Sequence, residues 1–180
     1  MNLSKSAALR ECCAAGLTRH TKKAQSVVFH AYGVARRCGD QEIRPEHVLL
    51  GIIASDKSLA DRLSLPATDM VADAFNLKES DEAHSRPKLS PAARYVMSCA
   101  AEERERLGHV HTGTEHLLLG MIRAGGAAAE LLQRYGVSVE RVHQVLYHQS
   151  WSSSWKVVEP CTASYLRLWS HVIDSPPEQP

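Results

Sequence analysis

The chain has 180 residues, with 21 Lys and Arg against 20 Asp and Glu, which leaves a formal net charge of +1. This balance gives no electrostatic case for nucleic acid or an anionic membrane as a partner. No run of about 18 apolar residues is present, so we expect no membrane-spanning helix. A hydrophobic fraction of 44% with an aromatic fraction of only 6% favours packed helices over a sheet-rich core.

Residues 1–17 are predicted to form an N-terminal extension, with one extra helix at most. The charged pair Arg10 and Glu11 interrupts its apolar stretch, so we predict no secretory signal. The cysteines are odd in number, scattered and without a CxxC pair, which favours free thiols in a reducing cytoplasm. They are Cys12, Cys13, Cys38, Cys99 and Cys161.

Two segments, 21–53 and 90–122, repeat one pattern and align without a gap at an offset of 69 residues. Such a repeat predicts a duplicated structural unit. Eleven of the 33 positions are identical, and they cluster in an E-H-x-L-L-G block. The identical pairs are Ala24/Ala93, Val27/Val96, Ala31/Ala100, Arg37/Arg106, Gly39/Gly108, Glu46/Glu115, His47/His116, Leu49/Leu118, Leu50/Leu119, Gly51/Gly120 and Ile53/Ile122.

The first copy contains signals for the start and end of its helices. Thr21 is predicted to cap a first helix, Gly39 to end it, and Pro45 to open a second helix at its first position. Short helices are expected at 58–63 and near 67–77. The polar, proline-containing stretch 78–88 then predicts a linker.

The second copy follows the same plan. Ser90 is predicted to cap its first helix, Gly108 to end it, and Thr112 or Thr114 to cap the next helix. A third helix is expected near 127–134, and Ser138 is expected to cap a fourth. Apolar residues recur at helical spacing in the first of these helices, which predicts one buried face. They are Ala93, Val96, Met97 and Ala100.

The segment LGHVHTGTEHLLLGMIRAGGAAAELLQRYGVSVERV resembles the amino-terminal repeat domain of bacterial Clp ATPases, whose most recognisable stretch is G-T-E-H-L-L-L-G. The resemblance spans about 18–148. It implies an all-α fold of two tandem four-helix repeats, 18–77 and 89–148, packed with pseudo-two-fold symmetry. It is weaker in the first repeat, where the block reads Arg44-Pro45-Glu46-His47-Val48-Leu49-Leu50-Gly51, and the aromatic tail is expected to lie outside it.

In Clp ATPases this domain receives substrates and adaptor proteins, so the resemblance implies a binding module and not an enzyme. No G-x-x-x-x-G-K-[ST] phosphate loop is present, and we expect the chain to act without hydrolysing ATP or using a cofactor. Its expected partners are proteins, namely Clp substrates, adaptors or protease components. Two alternatives stay open: a domain that sequesters small molecules targeting Clp ATPases, and a structural decoy or oligomerisation domain.

The resemblance also implies candidate binding residues. In one branch of the family, the positions of Thr21 with Glu46 and of Ser90 with Glu115 bind phosphoarginine, a degradation tag. A helix start with a hydroxyl suits the phosphate, and a carboxylate can pair with the guanidinium. The alternative is ordinary helix capping. Pro45 replaces the family threonine and removes an N–H, which weakens the first pair.

Two other kinds of site are disfavoured by the residue patterns. His109, His111 and His116 beside Glu115 could bind zinc, but His47 shares the repeat position of His116, which favours a structural role. A Cys–His nucleophile would draw on Cys12, Cys13 or Cys99, and no local signature supports one. Cys99 is expected to be a small packing residue. We therefore predict no metal site and no catalytic residues.

The last segment, 149–180, is predicted to be an aromatic tail that is irregular or contains a short helix. It holds every tryptophan of the chain, and aromatic residues are enriched at protein interfaces. The tail either docks a partner or covers an apolar groove on the repeats. Its candidate docking residues are Trp151, Trp155 and Trp169, with Tyr165, Leu166 and Leu168 beside them.

Overall fold

The computed structural model describes residues 19–78, 80 and 87–147, with only the backbone of Tyr147. The described part is mainly helical, as expected, and none of its helices combines the length and apolar character needed to cross a bilayer. Its elements are α1 (Lys22–Arg37), β1 (Glu42–Ile43), α2 (Pro45–Ser55), α3 (Lys57–Leu63), α4 (Thr68–Ala74), β2 (Lys88–Leu89), α5 (Pro91–Arg106), α6 (Thr114–Ala124), α7 (Ala127–Arg134) and α8 (Val139–Tyr147).

The first helices of the two repeats, α1 and α5, begin and end as the sequence predicts. Thr21 accepts a hydrogen bond from the N–H of Ala24 at 3.2 Å, and Ser90 accepts one from Ala93 at 3.1 Å. Each helix runs for 16 residues. The chain then turns at Gly39 and Gly108, whose φ angles of +72° and +68° suit glycine.

The core is built around the second helices, α2 and α6. Residues 47–53 of α2 and 116–121 of α6 are buried without interruption, because neighbouring helices cover every side of them. Each second helix packs closely against the first helix of its own repeat, and the two second helices also touch each other. The E-H-x-L-L-G block therefore forms the centre of the molecule.

Glycine makes the closest helix contacts possible. A Cβ at Gly120 would lie 2.6 Å from the nitrogen of Ala100 and 2.7 Å from the oxygen of Val96. A Cβ at Gly51 would overlap the carbonyl oxygen of Val27, the repeat equivalent of Val96. The backbones of α1 and α2, and of α5 and α6, therefore touch at equivalent points.

Two short parallel strand pairs join the repeats. In each pair, the segment before the second helix of one repeat lies beside the segment before the first helix of the other. Ile43, just before α2, pairs with Leu89, which precedes α5. Thr112, just before α6, pairs with His20, which precedes α1. A shift of 69 residues along the chain takes His20 to Leu89 and Ile43 to Thr112. The pseudo-two-fold operation that relates the repeats therefore interchanges the two strand pairs.

Some local predictions were wrong. Neither Thr112 nor Thr114 caps α6. Its N-cap is Gly113, which has no side chain to accept a hydrogen bond from the helix. The predicted linker 78–88 ends too late, since Lys88 belongs to β2, a strand too short to give a sequence signal. The predicted extension at 1–17 and the aromatic tail, including Trp151, Trp155 and Trp169, lie outside the described residues.

We predict that changing Gly51 or Gly120 to alanine lowers the free energy of unfolding by about 1–3 kcal/mol, because the new methyl group overlaps backbone atoms. Gly33 in α1 is the matched control. A Cβ there meets only the end of Arg37 at 3.6 Å, and alanine should stabilise the helix by about 0.5–1 kcal/mol. Urea unfolding measures both effects, and a stable Gly120→Ala variant would contradict the contact.

Candidate functional site

The candidate residues occupy helix starts, and the backbone brings them together across the repeats. The N–H of Thr21 donates to the carbonyl of Thr112 at 2.9 Å, three residues before Glu115. The N–H of Ser90 donates to the carbonyl of Ile43 at 3.1 Å, three residues before Glu46. Each hydroxyl residue therefore lies beside the segment that leads into the glutamate-bearing helix of the other repeat.

The expected pairing of Thr21 with Glu46 is wrong. Glu46 lies in the first turn of α2, whereas Lys23, two residues after Thr21, forms an ion pair with Asp56 at the far end of that helix. The eleven residues of α2 rise about 16 Å, which keeps the two groups apart. The equivalent pairing of Ser90 with Glu115 is wrong for the same reason under the pseudo-two-fold symmetry.

One crossed cluster, which we call the threonine site, consists of Thr21, Lys23, Asp56, Thr114 and Glu115. Lys23 Nζ lies 2.8 Å from Asp56 Oδ1, and Thr114 Oγ1 donates to Asp56 Oδ2 at 2.8 Å. Asp56 also caps α3, since it accepts from the N–H of Leu59 at 3.3 Å. This buried carboxylate therefore joins the start of α1, the end of α2 and the start of α6.

Glu115 is held in place by its own helix start. Its carboxylate folds over Gly113 and fills the space that a Cβ there would need. Burial raises the pKa of Glu115, but contacts with His116, with its own backbone N–H and with His109 together outweigh burial and lower the pKa. Glu115 is therefore ionised at neutral pH and suits a cationic group.

The other cluster, which we call the serine site, has fewer polar groups. It consists of the five residues that the repeat offset relates to the threonine site. In the order Thr21, Lys23, Asp56, Thr114 and Glu115, the equivalents are Ser90, Ala92, Gly125, Pro45 and Glu46. Ser90 is buried, whereas Thr21 is half-buried. Oε2 of Glu46 is buried and makes no hydrogen bond among the described residues.

The two buried histidines of the repeat share one structural role, as the sequence predicts. Nδ1 of His47 accepts from the N–H of Arg44 at 3.0 Å, and Nδ1 of His116 accepts from Gly113 at 2.8 Å. Each ring thus caps the helix in which it lies and replaces the missing side-chain cap. Burial, followed by the charge of Arg44, lowers the pKa of His47 to about 4, although Asp40 opposes this shift.

The same bonds disfavour a metal. Ligand atoms of His109, Glu115 and His116 lie within 4.8 Å of one another, as do those of Cys38, Asp40 and His47. A ring that accepts at Nδ1 carries its proton on Nε2, the atom that a metal would need. In His116, that proton faces Nδ1 of His109 at 2.8 Å. The arrangement therefore suits a hydrogen bond between the two rings better than metal ligation.

The structure describes only some of the other residues that the sequence offers as candidate ligands or nucleophiles. His111 lies in the loop before α6 and is half-buried. Cys99 is buried in α5 as a packing residue, as predicted. Cys12 and Cys13 lie outside the described residues.

Sequence reasoning missed Lys23 and Asp56, which complete the threonine site. A signal for them exists in the repeat alignment. Both are charged in the first copy, whereas the second copy has Ala92 and Gly125 at these positions. A charged pair that appears in one copy alone indicates a contact that the other copy does not make.

A family pattern matches the chain twice. The Clp repeat (R) N-terminal domain pattern covers residues 68–135 and 88–166, which together make up more than half of the chain. The match starts at the end of the first repeat, in agreement with the weaker resemblance there. It also reaches Trp151 and Trp155, so the expectation that the aromatic tail lies outside the resemblance is wrong up to residue 166.

Full-length relatives match over one domain. The negative regulator of genetic competence ClpC/MecB of Bacillus subtilis (strain 168) is 34% identical over 132 residues, which cover 70% of this chain and 16% of the relative. The chloroplastic chaperone protein ClpC1 of Arabidopsis thaliana is 31% identical over 149 residues, covering 79% and 16%. The chain thus spans a small part of the length of these relatives.

Solved N-terminal domains share the fold. That of the chaperone ClpD from Arabidopsis thaliana superposes with a TM-score of 0.56 at 20% identity, covering 73% of this chain and 98% of that domain. That of the ClpV1 ATPase from E. coli gives a TM-score of 0.57 at 19% identity, covering 86% and 97%. The pseudo-two-fold pair of helical repeats is therefore an established architecture.

We predict that acid destabilises the fold through His47. Its pKa in the folded protein is about 4, below the usual 6.5, so the unfolded chain takes up the proton first as the pH falls. His47 alone should remove about 1.5 kcal/mol of unfolding free energy between pH 6.5 and pH 5. Urea unfolding across this range measures the slope.

His47→Asn is the comparison variant, because asparagine keeps an acceptor for the N–H of Arg44 but does not titrate. Its stability should fall less steeply over the same interval, whatever its stability at neutral pH. An unchanged slope would show that His47 is not the group responsible.

Proposed function

Because the chain belongs to the Clp repeat N-terminal domain family, we propose that it is an ATP-independent protein-binding module that acts in Clp-type protein quality control. In Clp ATPases this domain binds substrates and adaptors, and the proposal extends that role to this chain. Its partners are Clp substrates, adaptors or protease components, met in the cytoplasm. It performs no catalysis of its own.

The observation that carries the proposal is the crossed arrangement of the threonine site. Thr21 uses its oxygen to accept from the N–H of Ala24, which leaves its hydroxyl proton available for a ligand. The free N–H groups at the start of α1 and the exposed Lys22 and Lys23 favour an anion there. Glu115, in the first turn of α6, favours a cation.

A ligand that carries both charges fits this arrangement. Phosphoarginine has a phosphate that suits the start of α1 and a guanidinium that can pair with a carboxylate. We propose that the threonine site takes this group, or an arginine-containing segment beside an acidic one. Lys23 pairs with Asp56, but its side chain is 58% exposed and its ammonium has three donors, so it can also donate to a phosphate while it keeps that bond.

The serine site is the weaker candidate. Pro45 removes one N–H from the start of α2, and burial of Ser90 limits access to its hydroxyl. Ala92 and Gly125 supply no charge. We therefore propose that the two sites are unequal and that partner binding depends mainly on the threonine site.

Pull-down from a cell lysate tests the crossed assignment. We expect Glu115→Ala and Thr21→Ala to lose the same partners, because their residues belong to one site. Glu46→Ala and Ser90→Ala, the matched controls from the other site, should retain those partners. The crossed assignment would be contradicted if Thr21→Ala and Glu46→Ala lost the same partners while Glu115→Ala retained them.

Titration with free phosphoarginine tests the ligand. Backbone amide shifts are expected at 21–24 and 113–116 together, although these segments are far apart in the chain. Glu115→Ala should weaken binding about tenfold, the effect of losing roughly 1.4 kcal/mol of a charged hydrogen bond. No shift at millimolar ligand would exclude phosphoarginine while leaving the protein-binding proposal to the pull-down.

A further inference from the structure

An open cleft of about 450 Å³ lies beside the loop that leads into α6. Its walls are the segment before α1, the last turn of α5 and the loop 108–111. The charged and polar side chains that line it are Arg19, Arg104, Glu105, His109 and His111, with Val110 exposed at the rim. None of these residues belongs to the threonine site or the serine site.

Arg104 has an unusual environment for a guanidinium. Its side chain is only 6% exposed, and its Nε is buried without a hydrogen-bond partner among the described residues. Its Nη2 donates to Oε1 of Glu105 at 2.7 Å. Because Nε and Nη2 form the edge of a guanidinium that binds an oxyanion through two bonds, half of this edge is unused.

Glu105 is a replaceable partner. Its side chain is 69% exposed, so water can solvate the carboxylate once another oxyanion takes its place on Arg104. An incoming oxyanion could contact both Nε and Nη2, which Glu105 does not. The exchange of Glu105 for such a ligand would therefore satisfy a buried donor for which the described part of the chain supplies no partner.

The other residues of the cleft favour the same charge. Arg19 supplies a second, exposed guanidinium, and the ring of His111 can donate a hydrogen bond. Three of the equivalent positions on the other side lack this character, although Lys88 keeps the charge of Arg19. Ala35 replaces Arg104, and Asp40 and Glu42 replace His109 and His111. The cleft is thus a property of one side of the molecule and not of the repeat.

We propose that this cleft binds an oxyanion, the phosphate or carboxylate of a protein partner, through Arg104 and Arg19. The site shares no residue with the threonine site and goes beyond the proposed function, since it would add a second, purely anionic contact. Val110 offers an apolar surface beside the anion. A phosphorylated side chain or a chain-terminal carboxylate next to an apolar residue would match both features.

A titration of the full chain with inorganic phosphate, at constant ionic strength, tests the site. Backbone amides of 108–111 should shift and saturate. Arg19→Gln should weaken binding about tenfold, as expected for the loss of one charged hydrogen bond. Lys88→Gln is the matched control, because Lys88 holds the position of Arg19 in the other repeat, and it should leave the affinity unchanged.

Glu105→Gln provides a test in the opposite direction. It removes the competing carboxylate, so phosphate should bind several-fold more tightly, a result that a merely structural role of Glu105 would not give. Arg104→Gln should abolish saturation. Arg104 is buried and its variant requires a check of folding by circular dichroism, but Arg19 and Glu105 are exposed and decide the matter by themselves.

Further ligands and one further variant separate the outcomes. Phosphoserine and acetate, titrated in the same way, show whether phosphate or carboxylate is preferred, and saturation by either supports the site. Saturation should persist in Glu115→Ala, so a failure of the threonine site does not affect this result. Equal phosphate affinity in the wild type and Arg19→Gln, or weaker binding by Glu105→Gln, would overturn the proposal.

Discussion

The close contact of two helix backbones at Gly51 and Gly120 is the constraint on which the fold depends. At Gly120 there is no room for a methyl group between α6 and the backbone of α5. Because the helices touch at this distance, the leucines that precede each glycine are carried into the middle of the molecule. The two second helices then meet, and the short strands that flank them are brought within pairing distance of the opposite repeat.

The differences between the repeats are concentrated outside this core. The helix starts and the loops before α2 and α6 differ in charge, while the packed glycine, histidine and leucine positions are the same. Asp56 illustrates the result: it is buried and bonded to both Lys23 and Thr114, and its counterpart is a glycine. A shared scaffold therefore supports one polar site, one poorer site and one cationic cleft.

Sequence alone could predict much of the helical framework, because caps, glycine stops and apolar periodicity are local signals. Thr21, Ser90, Gly39 and Gly108 all act as those signals indicate. The pairing of the candidate residues could not be predicted in this way. Which glutamate lies beside Thr21 depends on contacts between repeats, and two-residue strands carry no periodic signal.

Arg104 is a second residue whose environment could not be predicted from the sequence. In the sequence it belongs to a charged stretch, 102–106, a pattern typical of a helix face in water, yet its side chain is buried and lines a cleft. The helix turns only this residue and Glu103 of the stretch inward, which the pattern of charges does not reveal.

The crossed strand pairing has a consequence for the origin of such a domain. Neither repeat contains a whole candidate site, since each contributes its hydroxyl to one and its carboxylate to the other. A single repeat could complete a site only by associating with a second copy in an isologous homodimer, which would have two identical sites. This chain is the covalent counterpart of such a dimer. In the joined chain each of these residues belongs to one site only, so the two sites can differ.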